Sequence, residues 1–225
     1  MSTTIRCKWE KATFQNNQSP IERSSHGVSV ISDVLYVFGG ETTAKVPVES
    51  DVYLINISNQ NFEDGSALWR KIEAEKNSPI PRVAHAQAAI GNRIYVFGGQ
   101  SKGSIRVQST LNDLHYFDVK TETWTEVCAN GNHVPSPRSF HQMVSVGSSL
   151  FVFGGCGNTG RLSDLHEFNT NSLIWTEHPN VSNLSNSTKL LTLKIILSET
   201  DFIIVQIYHC FIRDSKVMKK QVKNR

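Results

Sequence analysis

The sequence predicts an all-β fold made of repeated units, on three observations. Apolar runs Tyr36-Val37-Phe38, Tyr95-Val96-Phe97 and Phe151-Val152-Phe153 each end in a glycine pair, Gly39-Gly40, Gly98-Gly99 and Gly154-Gly155. An arginine stands 16 residues before the first glycine of every pair, at Arg23, Arg82 and Arg138. A tryptophan closes each copy, at Trp69, Trp124 and Trp175, after a gap that varies. Spacing that is fixed where strands must pair and loose where loops run is the mark of a repeat architecture.

The same residues, with Asp51, Asp113 and Asp164 between glycines and tryptophan, resemble the kelch repeat over about residues 1–178. The resemblance implies a galactose oxidase-like β-propeller, one four-stranded blade per repeat. Three blades are recognisable, at about 23–72, 82–128 and 138–178.

Cys7-Lys8-Trp9-Glu10 comes first, and Trp9 precedes Arg23 by 14 residues, the interval from Trp124 to Arg138. Residues 5–12 therefore read as an orphan outer strand that closes a last blade, a device that hides sheet edges. Blade one is expected to place strands near His26–Ile31, Val34–Phe38, Asp51–Ile57 and Leu68–Ile72. Glycine pairs suit the exit from the second strand, since residues without Cβ tolerate positive φ and close backbone approach. The polar insert Asn59–Ser66 reads as a surface loop before Trp69. Blade two is expected at His85–Ile90, Arg93–Phe97, Asp113–Val119 and Thr123–Cys128, with Gly91-Asn92 a tight hairpin turn. Blade three follows at His141–Val146, Leu150–Phe153, Asp164–Asn169 and Ile174–Glu177.

The pattern stops after Pro179. Residues 180–225 are a divergent, β-rich, basic tail with eight Lys/Arg against three Asp/Glu, whereas 1–180 hold 15 against 17. The tail reads either as a degenerate fourth blade, which the Trp9 strand could extend, or as a diverged or truncated C-terminus. Propellers close with about four to eight blades, so three alone leave open faces and invite self-association. The repeat region carries no basic bias toward nucleic acid, and the tail's apolar runs are broken by Lys194, Glu199, Asp201 and His209, against a membrane span. Four scattered cysteines without CxxC spacing and a polar start, Met1–Glu10, point to a reducing, cytoplasmic or nuclear setting. Asn-x-Ser/Thr triplets at Asn56, Asn180, Asn183 and Asn186 read as chance matches there.

Arg23, Arg82 and Arg138 are the candidate ligand- or partner-binding residues. In kelch propellers their connection opens on the same face as the loop after the glycine pair, so the resemblance implies three guanidiniums around the channel mouth. Each could receive a carboxylate, sulfate or phosphate, or else pair with a neighbouring blade's acid or carbonyls. His26, His85 and His141 recur three residues later but lack a carboxylate at ligand spacing, so no metal site is expected. His115 and His166 stand where blade one has Tyr53, which argues for packing. Asp51, Asp113 and Asp164 are expected to bond turn amides. The tryptophans, Trp9 included, and the glycine pairs read as structural marks.

No GxSxG, Walker loop or HExxH occurs, and no catalytic residue is expected. The expected function is a non-catalytic scaffold that offers Arg23, Arg82, Arg138 and the loops Glu41–Ser50, Gln100–Asn112 and Cys156–Ser163 to a protein partner through its acidic segment. Within the family the chain resembles propeller-only members such as the glucosinolate specifier proteins, on Arg23-Ser24-Ser25-His26-Gly27, Arg138-Ser139-Phe140-His141 and the loops after the glycine pairs. That resemblance implies an alternative: diversion of glucosinolate breakdown to nitriles with Fe(II), Arg82 and Arg138 holding an anionic group. The iron ligands of those proteins follow Glu-x3-Asp-x3-His, and no Glu here has Asp four residues later. Copper ligands of galactose oxidase have no match either. A third reading is a truncated isoform without independent function.

Overall fold

The computed structural model describes residues 18–58, 68–102, 108–131 and 133–178, and the backbone of 193–197 and 201–205. Trp9 and its expected closing strand at 5–12 lie outside the described residues, as does most of the tail. Every regular element among the described residues is a strand.

Blade one contains β1 (Gly27–Ile31), β2 (Val34–Phe38), a small hairpin of β3 (Glu41–Thr43) and β4 (Val46–Pro47), then β5 (Val52–Asn56) and β6 (Trp69–Ile72). Its sheet runs β1-β2-β5-β6, antiparallel throughout. Blade two is β7 (Ala86–Ile90), β8 (Arg93–Lys102), β9 (Gln108–Asp118) and β10 (Thr123–Glu126). Blade three is β11 (Gln142–Val146), β12 (Ser149–Gly157), β13 (Gly160–Asn169) and β14 (Ile174–Glu177). Both repeat the first blade's order. In the tail, β15 (Leu193–Leu197) and β16 (Asp201–Val205) pair as an antiparallel hairpin. Residues 1–182 and 183–225 are two separate compact units.

One difference from the expected strands concerns the glycine pairs. The sequence reading stops β8 at Phe97 and β12 at Phe153, yet both continue past the glycines. The ladder slips by one residue between Phe97 and Gly99 and between Phe153 and Gly155, then resumes into a long hairpin. A bulge of this kind bends the strand without ending it. Gly98 and Gly99 adopt φ of 61° and 98°, and Gly154 and Gly155 repeat the pair at 61° and 99°. A Cβ on Gly98 would lie 2.8 Å from the carbonyl oxygen of Arg138 in the next blade, so both the dihedral and the space demand glycine.

The first strands of successive blades lie side by side, β1 beside β7 and β7 beside β11, which makes them the innermost layer. Two cores fill the wedges between blades. Tyr36, Phe38 and Val52 of blade one meet Ile94, Val96, Phe117 and Trp124 of blade two. Ala86, Tyr95, Phe97 and Leu114 of blade two meet Met143, Leu150, Val152, Phe168 and Trp175 of blade three. The tryptophans of blades two and three sit on the phenylalanine before the preceding blade's glycines: Trp124 on Phe38 at 4.8 Å between centroids, Trp175 on Phe97 at 5.1 Å. Alternation along β8 sends Ile94 and Val96 to one wedge and Tyr95 and Phe97 to the other, so both faces of this central strand are buried.

Candidate interaction face

The linkers entering each blade and the hairpins after the glycines share one face of the three-blade array, because each first strand starts there and each second strand ends there. Three equivalent bridges fix the two together: Ser24 with Glu41, Val83 with Gln100, and Ser139 with Cys156. The arginines lie in these linkers.

Arg82 and Arg138 do not offer their guanidiniums to a partner. Both are fully buried. Arg82 donates through Nη1 and Nη2 to the two carboxylate oxygens of Asp113, at 2.8 and 2.7 Å, and through Nη1 and Nε to the carbonyls of Gly98 and Ile80. Arg138 repeats the clasp on Asp164, at 2.8 Å for both oxygens, with the carbonyls of Gly154 and Ser136. The fork therefore joins a blade's incoming linker, its bulge and its third strand, and the acid comes from the arginine's own blade rather than a neighbouring one. Spacing alone could not show this, since it fixes which residues recur but not which side chain fills the fork.

The aspartates and histidines complete the clasp. His115 Nε2 lies 2.9 Å from Asp113 Oδ2 and His166 Nε2 lies 2.8 Å from Asp164 Oδ2. Burial alone would raise both carboxyls, but hydrogen bonds from the histidine and the arginine outweigh it and hold them well below the usual carboxylate range. Among the described residues Asp51 alone of the three aspartates accepts from a backbone amide, that of Ala74 at 2.8 Å just past β6, and it also faces Lys71 Nζ at 3.3 Å. Tyr53 replaces the histidine in blade one, and Arg23 lies over the Tyr53 ring, 4.9 Å from its centroid. Nη1 of Arg23 still donates to Gly39 at 3.2 Å, whereas Nη2 has no acceptor.

His85 and His141 lie buried in the wedges, edge-on to Phe38 and Phe97. Their ring nitrogens have no partner at hydrogen-bonding geometry. Burial, with help from the neighbouring arginines, pushes both down to about 3, so they are neutral near pH 7. His26 is exposed. No three His, Cys, Asp or Glu side chains among the described residues are grouped as metal ligands.

Sequence reasoning missed a second row of residues. Ser25, Ala84 and Phe140, two positions after the arginines, all take left-handed φ of 55°, 53° and 54°. L-residues there cost roughly 1–2 kcal/mol each. The conformation lets each linker bond the previous one: Ala84 N–H donates to Ser25 O at 2.9 Å and Phe140 N–H to Ala84 O at 2.8 Å. Gly40 N–H and Gly99 N–H add bonds to the carbonyls of Arg82 and Arg138, at 2.9 and 2.8 Å. Three unlike residues at one repeat position gave no sequence signal. Phe140 is 53% exposed.

Three recurring blades joined by the same backbone hydrogen bonds define a kelch-type propeller array, and the comparisons agree. Residues 1–204 match the KLHDC2/KLHL20/DRC7 Kelch-repeats domain, so the chain belongs to the kelch-repeat family. It is 31% identical over 80% of its length to an N-(sulfonatooxy)prop-2-enimidothioate sulfolyase of Thlaspi arvense, covering 50% of that protein. It is 34% identical over 70% of its length to the human Rab9 effector protein with kelch motifs, covering 40% of it. The chain thus spans half or less of these curated relatives. The solved structure of YjhT, a kelch propeller, superposes with a TM-score of 0.57 at 18% identity, over 72% of this chain and 54% of that one.

Proposed function

We propose that this chain is a non-catalytic kelch scaffold that binds a protein partner through the linker and hairpin face. The observation that carries the reading is Phe140, a half-exposed aromatic fixed by a left-handed backbone and an inter-blade hydrogen bond. An aromatic held in place before binding is the kind of side chain that anchors interfaces, because little rotamer freedom is lost on contact. Kelch membership supports a protein-interaction role, and the similarity to the Rab9 effector protein fits it. With Arg82 and Arg138 buried, an acidic partner segment would meet Lys45 and Lys102, both exposed on the hairpins. The test is quantitative capture with Phe140→Ala and with Lys45→Glu/Lys102→Glu, at unchanged melting temperature. Loss of the partners held by the wild-type chain is expected; equal binding by both variants refutes the reading.

The Thlaspi arvense relative motivates a second reading, an Fe(II)-dependent diversion of glucosinolate breakdown. Nitrile yield in a myrosinase and glucosinolate reaction, with and without added Fe(II), decides it: no change on adding the chain removes it.

A further inference from the structure

Asn130-Gly131 is the one Asn-Gly pair in the sequence, and it lies in the linker between blades two and three. A backbone nitrogen that follows asparagine can attack the side-chain amide. Attack needs an N–H not already given to an acceptor and little bulk on the residue that carries it, a condition glycine meets best. The fold withholds the free N–H at four described asparagines. After Asn56, the Ile57 N–H donates to Asp33 O at 2.7 Å; after Asn77, the Ser78 N–H donates to Glu75 O at 3.0 Å; after Asn169, the Thr170 N–H donates to Ser148 O at 2.9 Å. After Asn171, the Ser172 N–H donates to Asn169 Oδ1 at 3.0 Å. Asn92, Asn112 and Asn158 precede the bulkier Arg93, Asp113 and Thr159, of which Arg93 and Asp113 lie within β8 and β9.

Asn130 meets both conditions. No carbonyl among the described residues takes the Gly131 N–H. Gly131 is exposed at φ 88°, and a Cβ there would meet nothing within 4 Å, so a closing ring has room. Asn130 is exposed as well, and it ties the linker to the turn before β14: its N–H donates to Leu173 O at 2.7 Å and its Nδ2 to Ser172 O at 3.3 Å.

We propose that Asn130 is a site of spontaneous deamidation, and that the reaction unties this linker from blade three. The Gly131 nitrogen gives its proton to hydroxide and bonds to Asn130 Cγ; the Cγ–Nδ2 bond breaks, and ammonia leaves with a proton taken from water. Water then opens the succinimide ring at either of its carbonyls. The product is an aspartate or a β-linked isoaspartate, each with a new carboxylate at this position. Only water is consumed, and nothing is oxidised or reduced. An oxygen now stands where Nδ2 donated to Ser172 O, so acceptor faces acceptor. The isoaspartate also lengthens the backbone between residues 130 and 131, beside the bond to Leu173. The chemistry requires no partner and is independent of the scaffold reading.

The experiment ages the whole 225-residue chain at neutral and at mildly alkaline pH, folded and in urea. Peptide mass mapping reads each asparagine, and isoaspartyl methyltransferase labelling counts the β-linked product. In the folded chain the amide-to-acid mass gain is expected at Asn130 ahead of every other described asparagine. It should be faster at the higher pH, because the attacking nitrogen must lose its proton. In urea, Asn77 and Asn171, each followed by serine, are expected to gain on Asn130, since the bonds that hold Ser78 and Ser172 N–H are gone. An intact Asn130 in the aged folded chain overturns the proposal, and so does a ranking that unfolding leaves unchanged. Gly131→Ala is expected to remove most of the signal at Asn130; an equal rate overturns it. Hydrogen exchange in β14, residues 174–177, is expected to be faster in the aged chain than in the fresh one. Equal exchange overturns the untying.

Discussion

At Asp164 the chemistry is concentrated in a single carboxylate that satisfies the fully buried Arg138 and the buried His166 together. Removing it strands a guanidinium in a place without water, a larger loss than the attraction itself. Asp164→Ala is therefore expected to lower stability in urea unfolding by about 3–5 kcal/mol. Glu73→Ala, an 83% exposed side chain 3.4 Å from Lys71 Nζ, should cost under about 1 kcal/mol. Equal losses would mean that the clasp is ornamental. A second residue-scale contrast lies in the glycines. Gly98 and Gly91 have nearly the same φ, 61° and 58°, but a Cβ on Gly98 strikes the Arg138 carbonyl while one on Gly91 meets nothing within 4 Å. Gly91→Ala should cost roughly 1–2 kcal/mol from conformation alone, and Gly98→Ala clearly more, because the joint to blade three must open. Thermal melts of the two variants make the comparison.

For the elements, the outer strands owe their place to one aromatic each. β10 and β14 are short, and their tryptophans, 7% and 2% exposed, lock them into the preceding wedge. Trp175→Ala is expected to destabilise by about 3–5 kcal/mol, as cavity-forming aromatic truncations do. Trp69 is only half-buried, so the same change there should cost less. Ordering by chemical denaturation, Trp175 above Trp69, checks it. The hairpins past the glycines behave differently. β3 and β4 form a short separate ladder, whereas β8–β9 and β12–β13 run on through the bulge. Sequence could place the strand up to Phe97 because its apolar pattern ends there. It could not show the continuation, because residues beyond the bulge pair through backbone and leave no apolar period.

In the whole molecule, acid sensitivity follows from the wedges. His85 and His141 have folded values of about 3 against an ordinary 6.5, so the unfolded chain binds more protons than the folded one between those limits. Stability should be level above about pH 6.5 and fall as the pH drops toward 3. The clasp aspartates, held below 3.8, add a further loss only beneath that value. Melting temperature measured from pH 8 to pH 4 should show the first fall, and His141→Gln should flatten it. A wild-type curve without slope across that range contradicts the buried neutral imidazoles.

Taken alone, the sequence determined the repeat, the four strands of each blade, the glycine pairs after the second strand's apolar run and the tryptophans in the outer strands. Each of these is a local demand of backbone geometry or burial that recurs at fixed spacing, so it is written in the pattern. Only the tertiary structure decided the fate of the arginines. Arg23, Arg82 and Arg138 look identical in the sequence, yet two are buried in carboxylate clasps and the third lies over Tyr53. That outcome depends on which side chain from a strand 26 or 31 residues away arrives beside the fork. It likewise decided that Ser25, Ala84 and Phe140 share one left-handed joint, because a backbone hydrogen bond between blades can be made by any residue type and so leaves no trace in the residues that make it.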